Sequence, residues 1–216
     1  MKNSSTKEYL DNIQEIRTIM EASSRFISLS GLSGVFAGIY ALIGAFAAYL
    51  YFGRNYYTPD VLYQILDRNG NPTIDFLFFI IIDAGLVFIL ALSTAVFLTT
   101  KKAKKSNQIV WNKPVKKMLI SLFIPLITGG IFIFSVLLNG IIYLVAPATL
   151  IFYGLALINA SKYTLRDIQY LGIFEIILGL TASFIIGYGL LFWAFGFGIL
   201  HIIYGIIMYF KYDNKK

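Results

Sequence analysis

KKAKKSNQIVWNKPVKK, residues 101–117, decides the fold. Seven lysines stand in this stretch, and no Asp or Glu occurs between Asp83 and Asp167. On both sides the chain turns apolar for the length that crosses a bilayer, about 20 residues at a rise of about 1.5 Å each. Lysines in short loops stay on the cytoplasmic side, so this loop orients everything before and after it.

Composition agrees with that reading. The 216 residues are 58% apolar and only 13% charged, with a mean hydropathy of +0.74. Soluble domains carry about a quarter charged residues, so the chain belongs to the membrane class. Its net charge of +7 lies beside apolar spans. The partner expected from it is the lipid bilayer, not nucleic acid. With no cysteine there is no disulfide, thiolate nucleophile or thiolate metal site. The polar N-terminus lacks a short apolar core with a cleavage site, so the first span is expected to serve as its own insertion signal.

Working outward from the lysine loop, the apolar runs predict an all-α polytopic bundle of six transmembrane helices. The spans fall at about 33–52, 74–99, 118–138, 141–159, 167–186 and 190–210. Residues 1–32 form an expected amphipathic helix on the cytoplasmic surface, with Tyr9, Ile13, Ile16, Met20 and Ile27 at helical spacing. That helix is the candidate contact with a protein partner or a second copy of the chain. Residues 212–216 form a basic tail. Sixteen of the 18 Lys and Arg fall on one side of this arrangement, and only Arg54 and Arg68 on the other. The positive-inside rule then places both termini in the cytoplasm, with the protein multi-pass in an inner (plasma) membrane.

The far-side loop, 53–73, contains Thr58-Pro59-Asp60, a cap with proline at the first helical position, predicting a short helix through Leu66. Asp67, Asn69 and Asn71 imitate the start of a calcium loop. Pro72 stands where that loop needs glycine and Phe78 where it needs a bidentate glutamate, which excludes calcium there.

Small residues mark the expected packing seams. Gly34, Gly38, Ala41 and Ala45 form one stripe in the first span, Gly172 and Gly179 one in the fifth, Gly198 and Gly205 one in the sixth. Between lipid-bathed helices such stripes permit close backbone approach, because burial of apolar surface gives no drive to associate.

Three ionisable residues stand clear of the span ends: Asp83, Glu175 and His201. Such groups are costly in a bilayer and face protein or a water-filled cavity. Glu175 and His201 lie at similar depth on consecutive antiparallel spans, and each shares a face with a small-residue stripe. They are therefore expected to meet, with Asp83 as a third candidate. The pair serves either as a proton-responsive site or as a structural hydrogen bond joining two spans. One histidine without cysteine supplies no metal centre, and no cofactor motif is present.

Tyr170-Leu-Gly-Ile-Phe-Glu through Leu191-Phe-Trp-Ala-Phe-Gly-Phe-Gly-Ile-Leu-His-Ile-Ile-Tyr-Gly resembles the last two spans of uncharacterised six-span bacterial membrane proteins. Arg25-Phe-Ile-Ser-Leu-Ser-Gly-Leu-Ser-Gly resembles the segment leading into their first span. The glycine-punctuated hairpin is also similar to that of HdeD-type acid-stress membrane proteins. The resemblance implies a bacterial inner membrane and carries no activity with it. Two function classes lead: a non-enzymatic accessory, stress-related or regulatory component, and a small transporter or channel built around Glu175, His201 and Asp83; an intramembrane enzyme ranks third, because no pair of nucleophile and base stands out.

Overall fold

A computed structural model describes residues 12–13, 29–52, 65–105 and 110–214. The expected N-terminal helix and the short helix after Thr58 lie almost wholly outside the described residues. The six spans are α1 (Gly31–Phe52), α2 (Ile74–Lys105), α3 (Lys113–Leu138), α4 (Val145–Ser161), α5 (Asp167–Phe184) and α6 (Gly189–Asp213). A 3-10 turn, Ile142–Leu144, leads into α4. With that turn counted into the fourth, all six are long and apolar enough to cross a membrane. The protein is an all-α, multi-pass membrane bundle.

Helix ends depart from the expected spans around the lysine stretch. α2 continues past Thr99 and takes Lys101–Lys105 into its last turns. At 32 residues it is about 48 Å long, well beyond the roughly 30 Å of hydrocarbon, so the lysines emerge at head-group level. α3 begins at Lys113, ahead of the expected 118, because Asn112 caps it by accepting from the Val115 N–H at 3.0 Å. Pro114 follows in the first turn, where its missing N–H costs nothing. Hydropathy alone misses both extensions, since charged residues continue a helix as readily as apolar ones.

α1 lies between α2 and α6, α4 lies between α3 and α5, and α6 links the two groups by touching α4 and α5. The seams account for this order. A Cβ on Gly34 would stand 3.2 Å from the Gly205 Cα, and one on Gly205 would stand 2.5 Å from the Val35 nitrogen. Gly38 faces Gly198 and Ile202 in the same seam. Ala41 and Ala45 are buried along α1. Across the other seam, a Cβ on Gly172 would meet the Gly154 carbonyl at 2.7 Å, and one on Gly179 the Pro147 carbonyl at 2.8 Å. Small-residue stripes on consecutive antiparallel spans are expected to face one another, but those of α5 and α6 do not: Gly172 and Gly179 meet α4, and Gly198 and Gly205 meet α1.

One end of the bundle is tied by ion pairs. Asp213, at the end of α6, accepts from the Gly31 N–H at 3.0 Å and from Ser30 Oγ at 3.3 Å. It thus caps the N-terminus of α1 from 182 residues away. Its other oxygen pairs with Lys102 Nζ, which also donates to the Leu29 carbonyl at 2.7 Å. Beside this clamp, Lys211 and Tyr212 both donate to Asp167 at the start of α5. The start of α1, the end of α2, the start of α5 and the end of α6 therefore share one face, as an even number of crossings requires. At the opposite end, the Leu66–Pro72 bridge closes a tight turn in which Asp67 Oδ1 accepts from the Asn69 and Asn71 N–H groups. Gly140, at φ +72°, packs under this turn where any side chain would strike the Gly70 carbonyl.

Candidate intramembrane polar site

Three helices build the site. α4 brings Tyr153, α5 brings Glu175, and α6 brings His201 together with Gly196. α6 is π-helical over Ala194–Leu200, directly before His201. A π turn widens the backbone ladder and is common at functional sites. Here it leaves the Gly196 carbonyl 3.0 Å from His201 Nδ1.

His201 is satisfied at both ring nitrogens. A carbonyl only accepts, so in the neutral ring Nδ1 carries the hydrogen and gives it to Gly196. Nε2 then accepts from the Tyr153 hydroxyl at 2.8 Å. Phe197 stacks on the imidazole at 5.8 Å between ring centres, and Trp193 lies against Phe197 at 5.1 Å. Trp193, Phe197 and His201 follow at intervals of four residues, so one face of α6 carries an aromatic ladder down to the histidine.

Glu175 has the opposite condition. It is 0% exposed, and neither carboxyl oxygen has a hydrogen-bond partner among the described residues. Its Oε1 lies 3.4 Å from His201 Nδ1, whose hydrogen points to Gly196 instead. A buried polar group without a partner costs several kcal/mol in apolar surroundings, about 2–7 on transfer scales. Gly196 makes the position sterically tolerable: a Cβ there would stand 2.6 Å from both Glu175 Oε2 and Leu150 Cδ2.

The structure thus places Glu175 and His201 side by side, but through Gly196 and the π turn instead of through facing glycine stripes. Asp83 does not join them. It sits on α2 beside Gly44 of α1, where a Cβ on that glycine would lie 3.3 Å from its carboxyl. The packing of α2 on α1 holds it in the far layer of the bundle from α5. Nothing in the sequence marks Tyr153 for the site, and Gly196 reads there only as a helix-packing glycine. Tyr153 is one aromatic among many, and a π turn has no local composition that announces it. Among the described residues no three His, Cys, Asp or Glu converge as metal ligands.

No protein-family model, no curated protein and no solved structure matches this chain.

Proposed function

We propose that this integral membrane protein is a proton-responsive regulatory or accessory component of a bacterial inner membrane, with both termini cytoplasmic and no catalysis of its own. The carrying observation is the unpartnered Glu175 carboxyl, fully buried beside a histidine whose ring nitrogens are both engaged. A purely structural lock would bond the carboxyl. Here Tyr153, His201 and Gly196 bond one another and leave Glu175 only the 3.4 Å approach of its Oε1 to His201 Nδ1 among the described residues.

The arrangement supports a switch with two settings. A protonated Glu175 leaves the Nδ1 hydrogen on the Gly196 carbonyl. An ionised Glu175 draws that hydrogen to Oε1, 3.4 Å away, and frees the carbonyl inside the π turn. Charge at Glu175 is thereby converted into a change of backbone bonding in α6, which ends in the Asp213 clamp on α1 and α2. The titratable groups facing Glu175 are Tyr153 from α4 and His201 from α6; none comes from α5 itself among the described residues. The lysine distribution and the resemblance to six-span bacterial proteins support the membrane and the orientation. The N-terminal segment is the contact with a partner, tested by deleting residues 1–28 and asking whether captured partners are lost.

Trp193 reports on the switch. In a Trp111→Phe background, its emission in liposomes should change with pH, and Glu175→Gln should abolish the change. A flat titration without the Glu175 substitution, or an unaltered one with it, would sink the proposal. A second reading, a small transporter or channel, draws on the π-helical interruption of α6 beside a midplane carboxyl, since transporters place sites at broken helices. Solute or proton flux in liposomes that Glu175→Gln removes would move the assignment to that class.

A further inference from the structure

Among the described residues the Tyr153 hydroxyl has one hydrogen-bond partner, His201 Nε2 at 2.8 Å. Close packing holds it there. Gly154, the next residue on α4, approaches α5 so nearly that a Cβ would stand 2.5 Å from the Gly172 carbonyl. Glu175 follows Gly172 by one turn of α5. Leu150, one turn before Tyr153, is 0% exposed and lies against Gly196. Phe197 packs on the Tyr153 ring at 4.9 Å between ring centres. The α4–α5 seam therefore fixes the phenol and the carboxyl at opposite nitrogens of one imidazole.

In a neutral imidazole one nitrogen donates and the other accepts, and the partner of one sets the role of the other. Donation to Nε2 is the bond that uses the Tyr153 hydrogen, so the ring hydrogen stays on Nδ1. A protonated Glu175, itself a donor, then meets a second donor 3.4 Å away. Without the phenol oxygen that constraint is gone. The ring hydrogen can sit on Nε2, and Nδ1 can accept from the Glu175 acid. The proton count is unchanged, one on the ring and one on the carboxyl. An acid O–H on an imidazole nitrogen joins a stronger donor to a stronger acceptor than an imidazole N–H on an amide carbonyl. An ionised Glu175 reverses the preference, because a carboxylate only accepts and needs the hydrogen on Nδ1.

We propose that Tyr153 is a positioning residue for Glu175. By donating to Nε2 it holds the ring hydrogen on Nδ1 in both settings of the switch, and so keeps the protonated carboxyl from locking onto the ring. This rests on the proton-responsive reading of the site. Two titratable groups face the ring among the described residues, Tyr153 from α4 and Glu175 from α5. One hydrogen bond of this kind changes the tautomer ratio about tenfold.

The chain has a single histidine, so nitrogen-15 histidine gives one ring to read by solid-state NMR of the full-length protein in liposomes. The unsubstituted protein should carry the hydrogen on Nδ1 at mildly acidic and mildly alkaline pH alike. Tyr153→Phe keeps the aromatic ring against Phe197, and should move the hydrogen to Nε2 at acidic pH, by about tenfold. At alkaline pH it should return to Nδ1. Tyr153→Phe/Glu175→Ala should hold it on Nδ1 throughout, since the Gly196 carbonyl is then the remaining partner. A hydrogen that stays on Nδ1 in acidic Tyr153→Phe overturns the assignment. So does one found on Nε2, or on both nitrogens, in the unsubstituted protein. Nε2 occupancy that persists in the double variant overturns it too, because the effect would then not pass through Glu175. Failure of the switch itself reads differently. A flat Trp193 titration with these tautomers at acidic pH removes the regulatory reading and leaves Tyr153 in its role.

Discussion

Gly196→Ala tests the geometry of the polar site most directly. The added methyl would stand 2.6 Å from Glu175 Oε2 and 2.6 Å from Leu150 Cδ2, nearer than atoms in van der Waals contact. One neighbour is the end of a carboxyl and the other the end of a leucine, so both move, at a cost of about 1–3 kcal/mol for overpacking. Alanine recovers about 1 kcal/mol of helix preference over glycine, leaving a net loss of about 0–2 kcal/mol. That single value decides little, so the measurement is a double-mutant cycle with Glu175→Ala. Removing the Glu175 side chain clears space for the methyl, and the two substitutions together should be about 1–2 kcal/mol more stable than their separate effects predict. Unfolding equilibria in mixed micelles give the four stabilities. Additivity within about 0.5 kcal/mol would refute the close approach of Gly196 to Glu175, and with it the account of how the π turn accommodates the carboxyl.

Other outcomes follow from the packing. Gly38→Leu would drive a side chain into the Gly198 carbonyl and Ile202, losing about 1–3 kcal/mol or more; Gly85→Leu and Gly130→Leu, where a Cβ meets nothing within 4 Å among the described residues, should stay within about 0.5 kcal/mol in the same unfolding assay. Lys102→Met and Asp213→Ala should each cost about 1.5–3 kcal/mol as charge-assisted bonds are lost, and the double variant should cost little more than either. Because the chain has no cysteine, single cysteines at Lys105 and Lys211 should react with an impermeant maleimide from one side of the membrane, and one at Asn69 from the other. Labelling of Lys105→Cys and Asn69→Cys from the same side would contradict the six crossings.

The number of crossings and the sharing of one side by the lysine-rich segments were legible in the sequence, because both depend on one-dimensional quantities. Apolar length sets whether a segment spans, and the sign of charge in short loops sets its direction. Periodicity also identified the glycine stripes as contact faces, and hydropathy identified Glu175 and His201 as residues set apart in the bilayer. None of these signals says which helix covers which face. Small residues line α1, α4, α5 and α6 alike, so the pairings of Gly34 with Gly205 and of Gly154 with Gly172 were decided only in three dimensions. The same holds for the removal of Asp83 to the α1–α2 seam, the π turn that turns the His201 hydrogen away from Glu175, and the selection of Lys102 over Lys101 for Asp213. A stripe records that a face is suited to close approach; the identity of its neighbour depends on how all six helices satisfy their faces at once.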